Sequence, residues 1–355
     1  MDKIHAKLKQ KPEDFIVEEI GEDWSCKVDA FTNGYEKKVI DISKIDLENK
    51  RDFLWCEMEK INTDHFSAMQ EIAKQLKKPV RDIGYAGSKD KKAWTSQRIS
   101  IFKPSIELLG KFQSSSVFLK NFKWNKRKIK IGYLNGNKFK IILRDVDPKK
   151  ARNLNRLRNI KQFPNFFGVQ RFGINGRNFE IGKLIFKRDF QKAVKIFIDE
   201  GNSYLKDYLE KNPEDFLKGL LRIDRKTLLM IAQSVQSKIY NEILERAIEE
   251  KIDFSEQKVM LAGYRINFSQ GRLGEIEKEV LEDFGLSLED FDLKEISFLR
   301  LKGTYRRAFS DVRDLKADVE DDEMFSGSKK IILEFGLDSG VYATTLLESF
   351  FDFDS

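Results

Sequence analysis

The sequence predicts an α+β protein in which an antiparallel-sheet domain is interrupted by a mostly helical insertion. Three observations carry that expectation. Apolar residues alternate in strand fashion through DFIVEEI (14–20), DFLWCEMEKI (52–61), QRISIF (97–102), RKIKIGY (127–133) and NKFKIILRDV (137–146). From about Pro148 to Leu301 the period lengthens to that of helices. SKKIILEFGLD (328–338) then reads as a strand again and SGVYATTLLESFF (339–351) as a helix, so the chain returns to its first domain. The expected division is 1–160 with 305–355 for the sheet domain and 161–304 for the insertion.

Taken in order, the first helix is TDHFSAMQEIAKQL (63–76), with Phe66, Met69, Ile72, Ala73 and Leu76 on one face, Thr63 or Asp64 as cap and Pro79 beyond its end. Helical spacing recurs in ARNLNRLRNI (151–160), RDFQKAVKIFIDEG (188–201), LLMIAQSVQSKIYNEILERAIEE (228–250) and LGEIEKEVLEDFG (273–285). Composition narrows the function. The 355 residues carry 65 Lys+Arg against 58 Asp+Glu, a net charge of +7 and a pI of about 9.0, a balance that suits a polyanionic partner. Cys26 and Cys56 have no metal-type spacing, and His5 and His65 are the only histidines. A disulfide framework, a Cys-based zinc site, a His triad and a multi-His metal cage are all disfavoured. MDKIHAKLKQ is too polar for a signal peptide and no apolar run matches a bilayer, so a cytoplasmic protein is expected.

Several stretches carry chemistry. GYAGSKDKKAWTSQ (84–97) follows the first helix and leads into a strand. It lacks the spacing and the strand-to-helix order of a phosphate loop, and its GYAG does not join two helices as the loop of a KH module does. What remains is Asp90 between Lys89 and Lys91, which is either a solvated charged turn or a loop built around one useful carboxylate. In KNFKWNKRKIKIG, Lys120, Lys123, Lys126, Arg127, Lys128 and Lys130 are interleaved with Phe122 and Trp124. That pattern suits RNA phosphates and bases, and equally a lysine-protected strand edge. Asn137, Phe139 and Ile141 share one strand face, as do Glu13, Phe15 and Val17 in QKPEDFIVEEI, just after Lys9. FPNFFGVQRFG crowds Phe163, Phe166, Phe167 and Phe172 around Asn165, Gln170 and Arg171, polar company that a plain core does not need.

Together KPEDFIVEEI, GYAGSKDKKAWTSQ, GNKFKIILRD, PNFFGVQRFG, YRRA and the terminal GVYATTLLESFF resemble, in order and approximate spacing, the pseudouridine synthases of the TruD family over essentially the whole chain. The resemblance implies a pseudouridine-synthase catalytic domain with a family-specific helical insertion, and conversion of uridine to pseudouridine in RNA, chiefly at position 13 of tRNA. It implies no cofactor and no metal. It assigns Asp90 as the catalytic aspartate and Lys9 as its lysine partner. Glu13, Phe15, Gln97, Asn137, Phe139 and Tyr342 fall beside the target base, the last where many relatives carry Phe. Lys126, Arg127, Lys128 and Arg171 are the expected RNA contacts. A non-catalytic RNA-binding protein or RNA chaperone with the same basic and aromatic surface is the alternative, and Asp90 discriminates the two.

Overall fold

The computed structural model describes residues 3–29, 40–152, 154–173, 176–253 and 258–353. The chain divides into two compact units, Met1–Phe163 with Asp311–Ser355, and Pro164–Ser310. The first pass holds strands β1 (Ile4–Ala6), β2 (Phe15–Ile20), β3 (Phe53–Ile61), β4 (Ile83–Tyr85), β5 (Trp94–Phe102), β6 (Val117–Asn125) and β7 (Gly136–Val146). Helices α1 (His65–Gln75), α2 (Ile106–Gly110), α3 (Pro148–Ala151) and α4 (Asn155–Arg158) accompany them. After β8 (Gln162–Pro164) come α5 (Arg177–Phe186), α6 (Phe190–Asp199), α7 (Ser203–Lys211), α8 (Phe216–Leu220), α9 (Arg225–Glu249), β9 (Lys258–Leu261), α10 (Gly271–Asp283) and β10 (Thr304–Arg307). The return pass is β11 (Phe309–Asp311), β12 (Arg313–Asp321), β13 (Lys329–Asp338), α11 (Ala343–Glu348) and β14 (Phe351–Phe353).

One eight-stranded sheet dominates the first unit in the order β12-β13-β7-β2-β5-β3-β6, with β4 added on β5. Its pairs are antiparallel except β2 with β5. Two short strands share one edge of β5: Ile16–Glu18 runs parallel to Trp94–Ser96, and Ile83–Tyr85 antiparallel to Ile99–Ile101. Between them the Arg98 N–H donates to the Glu19 carboxylate at 2.9 Å. The sheet is therefore split at the point where the Asp90 loop leaves it.

Alternation assigns the faces. Leu54, Cys56 and Met58 of β3 and Ile99 and Ile101 of β5 pack on Met69, Ile72, Ala73 and Leu76 of and just after α1. Phe15, Val17, Phe139, Ile141, Leu333 and Phe335 pack with Leu346 and Leu347 of α11. Asp64 caps α1 by accepting from the Phe66 and Ser67 N–H groups, so the helix begins at His65. The buried stripe then runs His65, Ala68, Met69, Ile72, Ala73, and Phe66 falls beside it, 51% exposed instead of facing the core.

Three other local expectations differ. RKIKIGY is no strand: Ile129 is buried, Ile131 is 79% exposed, and the backbone turns, with Tyr133 N–H donating to Lys130 C=O. Its backbone groups are taken up by side chains and turns instead of a strand ladder, Ile129 N–H donating to Ser100 Oγ at 3.0 Å and Arg127 C=O accepting from the Trp55 indole at 2.7 Å. The terminal helix stops at Glu348, and Phe351–Phe353 pairs parallel with Ile4–Ala6. ARNLNRLRNI forms no single helix, only the end of α3 and the one-turn α4.

In the second unit the 25-residue α9 is the axis, with Ile231, Val235, Ile239, Tyr240 and Ile243 buried along it. Gly182 lets α5 come close: a Cβ there would stand 2.5 Å from a Val235 methyl and 2.7 Å from Ile231 C=O. No helix among the described residues is long and apolar enough to cross a membrane.

Candidate active site

Asp90 belongs to the hairpin loop 86–93 between β4 and β5, so a short strand intervenes between α1 and the loop that the sequence did not predict. Neither Gly84 nor Gly87 is left-handed. Gly84 is needed for close approach, because a Cβ there would lie 2.3 Å from Ile129 C=O.

The loop is held from beneath by buried polar groups. Lys60, the penultimate residue of β3, is wholly buried. Its Nζ donates to Asp90 C=O at 2.6 Å and to Thr63 C=O at 2.9 Å. Burial drives its pKa down to about 8 against the opposing pull of Asp90. Gln97 is also fully buried and donates from Nε2 to Gly87 C=O at 3.0 Å. Expected beside the base, it braces the loop here instead. Lys89 reaches the buried Glu19 carboxylate at 2.9 Å, so it is no surface cation.

With the backbone held in this way, the Asp90 carboxylate is left 42% exposed, and Lys9 Nζ meets its Oδ2 at 2.6 Å. Lys9 is one of the few non-glycine residues in the left-handed region, with φ of 55°. Its ammonium also stands 4.1 Å from the centre of the Phe15 ring, a cation–π contact. The segment carrying Lys9 is anchored at both ends. Lys7 exchanges backbone bonds with Arg144 at 2.8 and 2.9 Å, and the buried Arg144 guanidinium grips Asp14 at 2.8 Å and Asp322 at 3.0 Å. Glu13 lies in the single 3-10 turn Pro12–Asp14, not in the strand, so period-two geometry does not put it on the face of Phe15 and Val17.

Behind the Asp90–Lys9 pair lies a buried aromatic cluster. Phe15 meets Phe139 edge-on at 6.3 Å between centroids, and Phe139 stacks on Phe335 at 5.3 Å. Asn137 lies across from Glu19 in the β2–β7 ladder, two residues before Phe139. Its Oδ1 is buried and has no donor among the described residues. Tyr342, 37% exposed, precedes α11 just beyond β13, whose last residue Asp338 pairs with Gly136. His65, buried at the start of α1, lies edge-on to Tyr85 at 4.3 Å. Burial and the nearby Lys60 push its pKa down to about 4.

The predicted RNA contacts separate into two kinds. Lys126 and Arg127 are exposed just after the edge strand β6 and form no ion pair among the described residues. Lys128 donates to Arg81 C=O. Lys120, expected on the same basic face, is enclosed by Asp29 and by Glu59 at 2.7 Å. In the second unit the Arg171 guanidinium bonds Ser237 and Gln233 of α9 at 3.3 and 3.0 Å and lies over Phe167. The Gln170 side chain lies outside the described residues.

Sequence reading missed Lys60 and Glu19. A signal existed for the first: in DFLWCEMEKI it occupies the same alternation as Leu54, Cys56 and Met58, an inward position for a cation.

Comparison with known proteins defines the class to which this fold and site belong: the pseudouridine synthases, isomerases that modify tRNA. The family model described as tRNA pseudouridine synthase D (TruD) matches residues 1–207 and 256–350, and the chain belongs to that family. "Probable tRNA pseudouridine synthase D 1" of Methanocaldococcus jannaschii is 30% identical over 97% of this chain and 95% of its own. "Probable tRNA pseudouridine synthase D" of Methanosarcina acetivorans is 29% identical over 99% of this chain and 93% of its own. A crystal structure from Methanosarcina mazei assigned to tRNA pseudouridine synthase D matches with a TM-score of 0.74 at 26% identity, over 98% of this chain and 94% of that one.

Proposed function

We propose that this enzyme isomerises uridine-13 of tRNA with Asp90 as the catalytic carboxylate and Lys9 as its charge partner. The observation that carries the reading is the half-exposed Asp90 carboxylate against Lys9 Nζ at 2.6 Å, with the same ammonium over the Phe15 ring. The reaction breaks the bond from ribose C1′ to uracil N1 and forms one from C1′ to C5. The C5 hydrogen leaves to water and N1 takes a proton, so no electron is lost and neither a cofactor nor a metal is required. Asp90 serves either as nucleophile or as the base that removes a sugar proton. The Lys9 ammonium is its ion-pair partner.

The target base leaves its stack at a cost of a few kcal/mol, offset by contacts in the site. Tyr342 supplies exposed aromatic surface, the buried Phe15 and Phe139 back the site from the core, and the buried Asn137 Oδ1, without a donor among the described residues, suits the N3–H of uracil. Glu13 flanks the loop that carries Lys9, and Gln97 supports the Asp90 loop from within. Lys126 and Arg127 contact backbone phosphates, while Lys128 and Arg171, each with part of its donors engaged by protein, contribute the remaining ones.

The test is tRNA carrying tritium at uridine C5. Asp90→Asn keeps shape and some hydrogen-bonding capacity but removes the charge, nucleophile and base together. Release should fall to background while tRNA affinity stays within about threefold, under ~1 kcal/mol. Release near the wild-type rate would return Asp90 to a charged turn residue and favour the RNA-chaperone alternative. Mapping the modified uridine in the product by sequencing decides position 13.

A further inference from the structure

We infer that Lys60 is a positioning residue that sets the catalytic loop by gripping the backbone of Asp90 from inside the sheet. This rests on the reading of Asp90 given above. Lys60 closes the inward row of Leu54, Cys56 and Met58 and stands opposite Thr95 in the β3–β5 ladder. A lysine at the end of such a row must find acceptors or remain an isolated buried charge. It finds two carbonyls, Thr63 C=O just before α1 and Asp90 C=O in the loop. One ammonium thereby ties the end of β3, the cap of α1 and the catalytic loop into a single unit. No carboxylate lies within ion-pair distance among the described residues, so the charge is held by dipoles and remains directed at the Asp90 residue.

The groups facing Lys60 come from every neighbouring element. Asp90 and Asp64 favour its charge, Lys89 and Lys9 oppose it, and His65 at the start of α1 is itself discharged in part by it. The strongest influence is burial, which lowers the pKa to about 8. Two consequences follow. Lysine is the residue type that fits, because an apolar isostere such as methionine satisfies neither carbonyl. And the loop should slacken as pH rises through about 8, when one N–H and the positive field disappear together.

The experiment measures single-turnover tritium release against pH, alongside tRNA affinity, for wild type, Lys60→Met and Lys60→Arg. Lys60→Met should bind tRNA within about threefold of wild type yet turn over ~100-fold more slowly, the scale of a misplaced reacting group. Wild type should lose rate on an alkaline limb near pH 8, and Lys60→Met should lack that limb. Lys60→Arg, which retains charge and donors, should recover part of the rate and move the limb upward. A Lys60→Met enzyme with wild-type rate and an unmoved limb overturns the inference. Should Lys60→Met not fold, wild type decides: a limb near pH 8 supports Lys60, and a flat profile to pH 10 removes it. Failure of the underlying reading is separate, since it appears as an active Asp90→Asn enzyme whatever Lys60 does.

Discussion

The AGSKDK loop of the first unit and the NFFGVQRFG segment of the second are the two most specific strings in the chain, and they are built in opposite ways. In the loop, backbone groups are held from within while the Asp90 side chain is left part-exposed with a single strong partner, Lys9. In NFFGVQRFG the Asn165 and Arg171 side chains are themselves engaged by the protein. Asn165 is buried, donates to Arg307 C=O at 3.0 Å and accepts from Arg306, and Arg306 stands 4.2 Å over the Phe167 ring. Asn241 satisfies both backbone groups of Phe167. An unusual cluster of polar and aromatic residues therefore marks either a site or a lock. What distinguishes them is whether the polar atoms are already paired inside the protein.

The contrast is most vulnerable at Lys9. After Asp90→Asn, Lys9→Met should have the largest effect on rate, slowing tritium release by ~100-fold while leaving tRNA affinity nearly unchanged. A normal rate would exclude Lys9 from the site.

Lys60 extends the contrast to stability. Its folded pKa of about 8 lies below the ordinary 10.5, so between those pH values the unfolded chain binds the extra proton. Stability should accordingly rise with pH across that window, by up to about 3 kcal/mol. The rise should be absent in Lys60→Met, measured by urea unfolding at pH 7.5 and 10. Activity and this contribution to stability would then move in opposite directions with pH.

Asn165→Ala should behave as damage to a lock. It should cost ~1–3 kcal/mol of unfolding free energy by leaving Arg306 and Arg307 C=O short of a partner, with tritium release per folded molecule preserved. A specific loss of rate without loss of stability would place NFFGVQRFG with the sites. The smallest expected effect is at Lys126 and Arg127. Their joint replacement by Ala should flatten the log–log salt dependence of tRNA affinity by roughly 0.7 to 0.9 for each phosphate no longer neutralised. An unchanged slope would assign them to protecting the β6 edge.

Elements with strong local periodicity are legible from the chain alone: β2, β3, β5, β7, β13, α1 and α9 all follow from alternation or helical spacing. The placement of Asp90 on a loop ahead of a strand was legible too, and the family resemblance supplied Lys9 as its partner. Local pattern suffices for these because side-chain direction along a strand or helix depends only on neighbours in the chain. Which polar groups share a buried space was settled by the tertiary structure. That Lys60 reaches Asp90 C=O depends on β3 lying beside β5, and that Lys89 is absorbed by Glu19 depends on β2 lying parallel to β5. Lys120 is taken from the basic face by Glu59, which lies on the strand beside its own. Charge in a sequence says how many cations exist; strand order says which of them are already paired, because pairing over a few ångströms joins residues 30 to 81 positions apart.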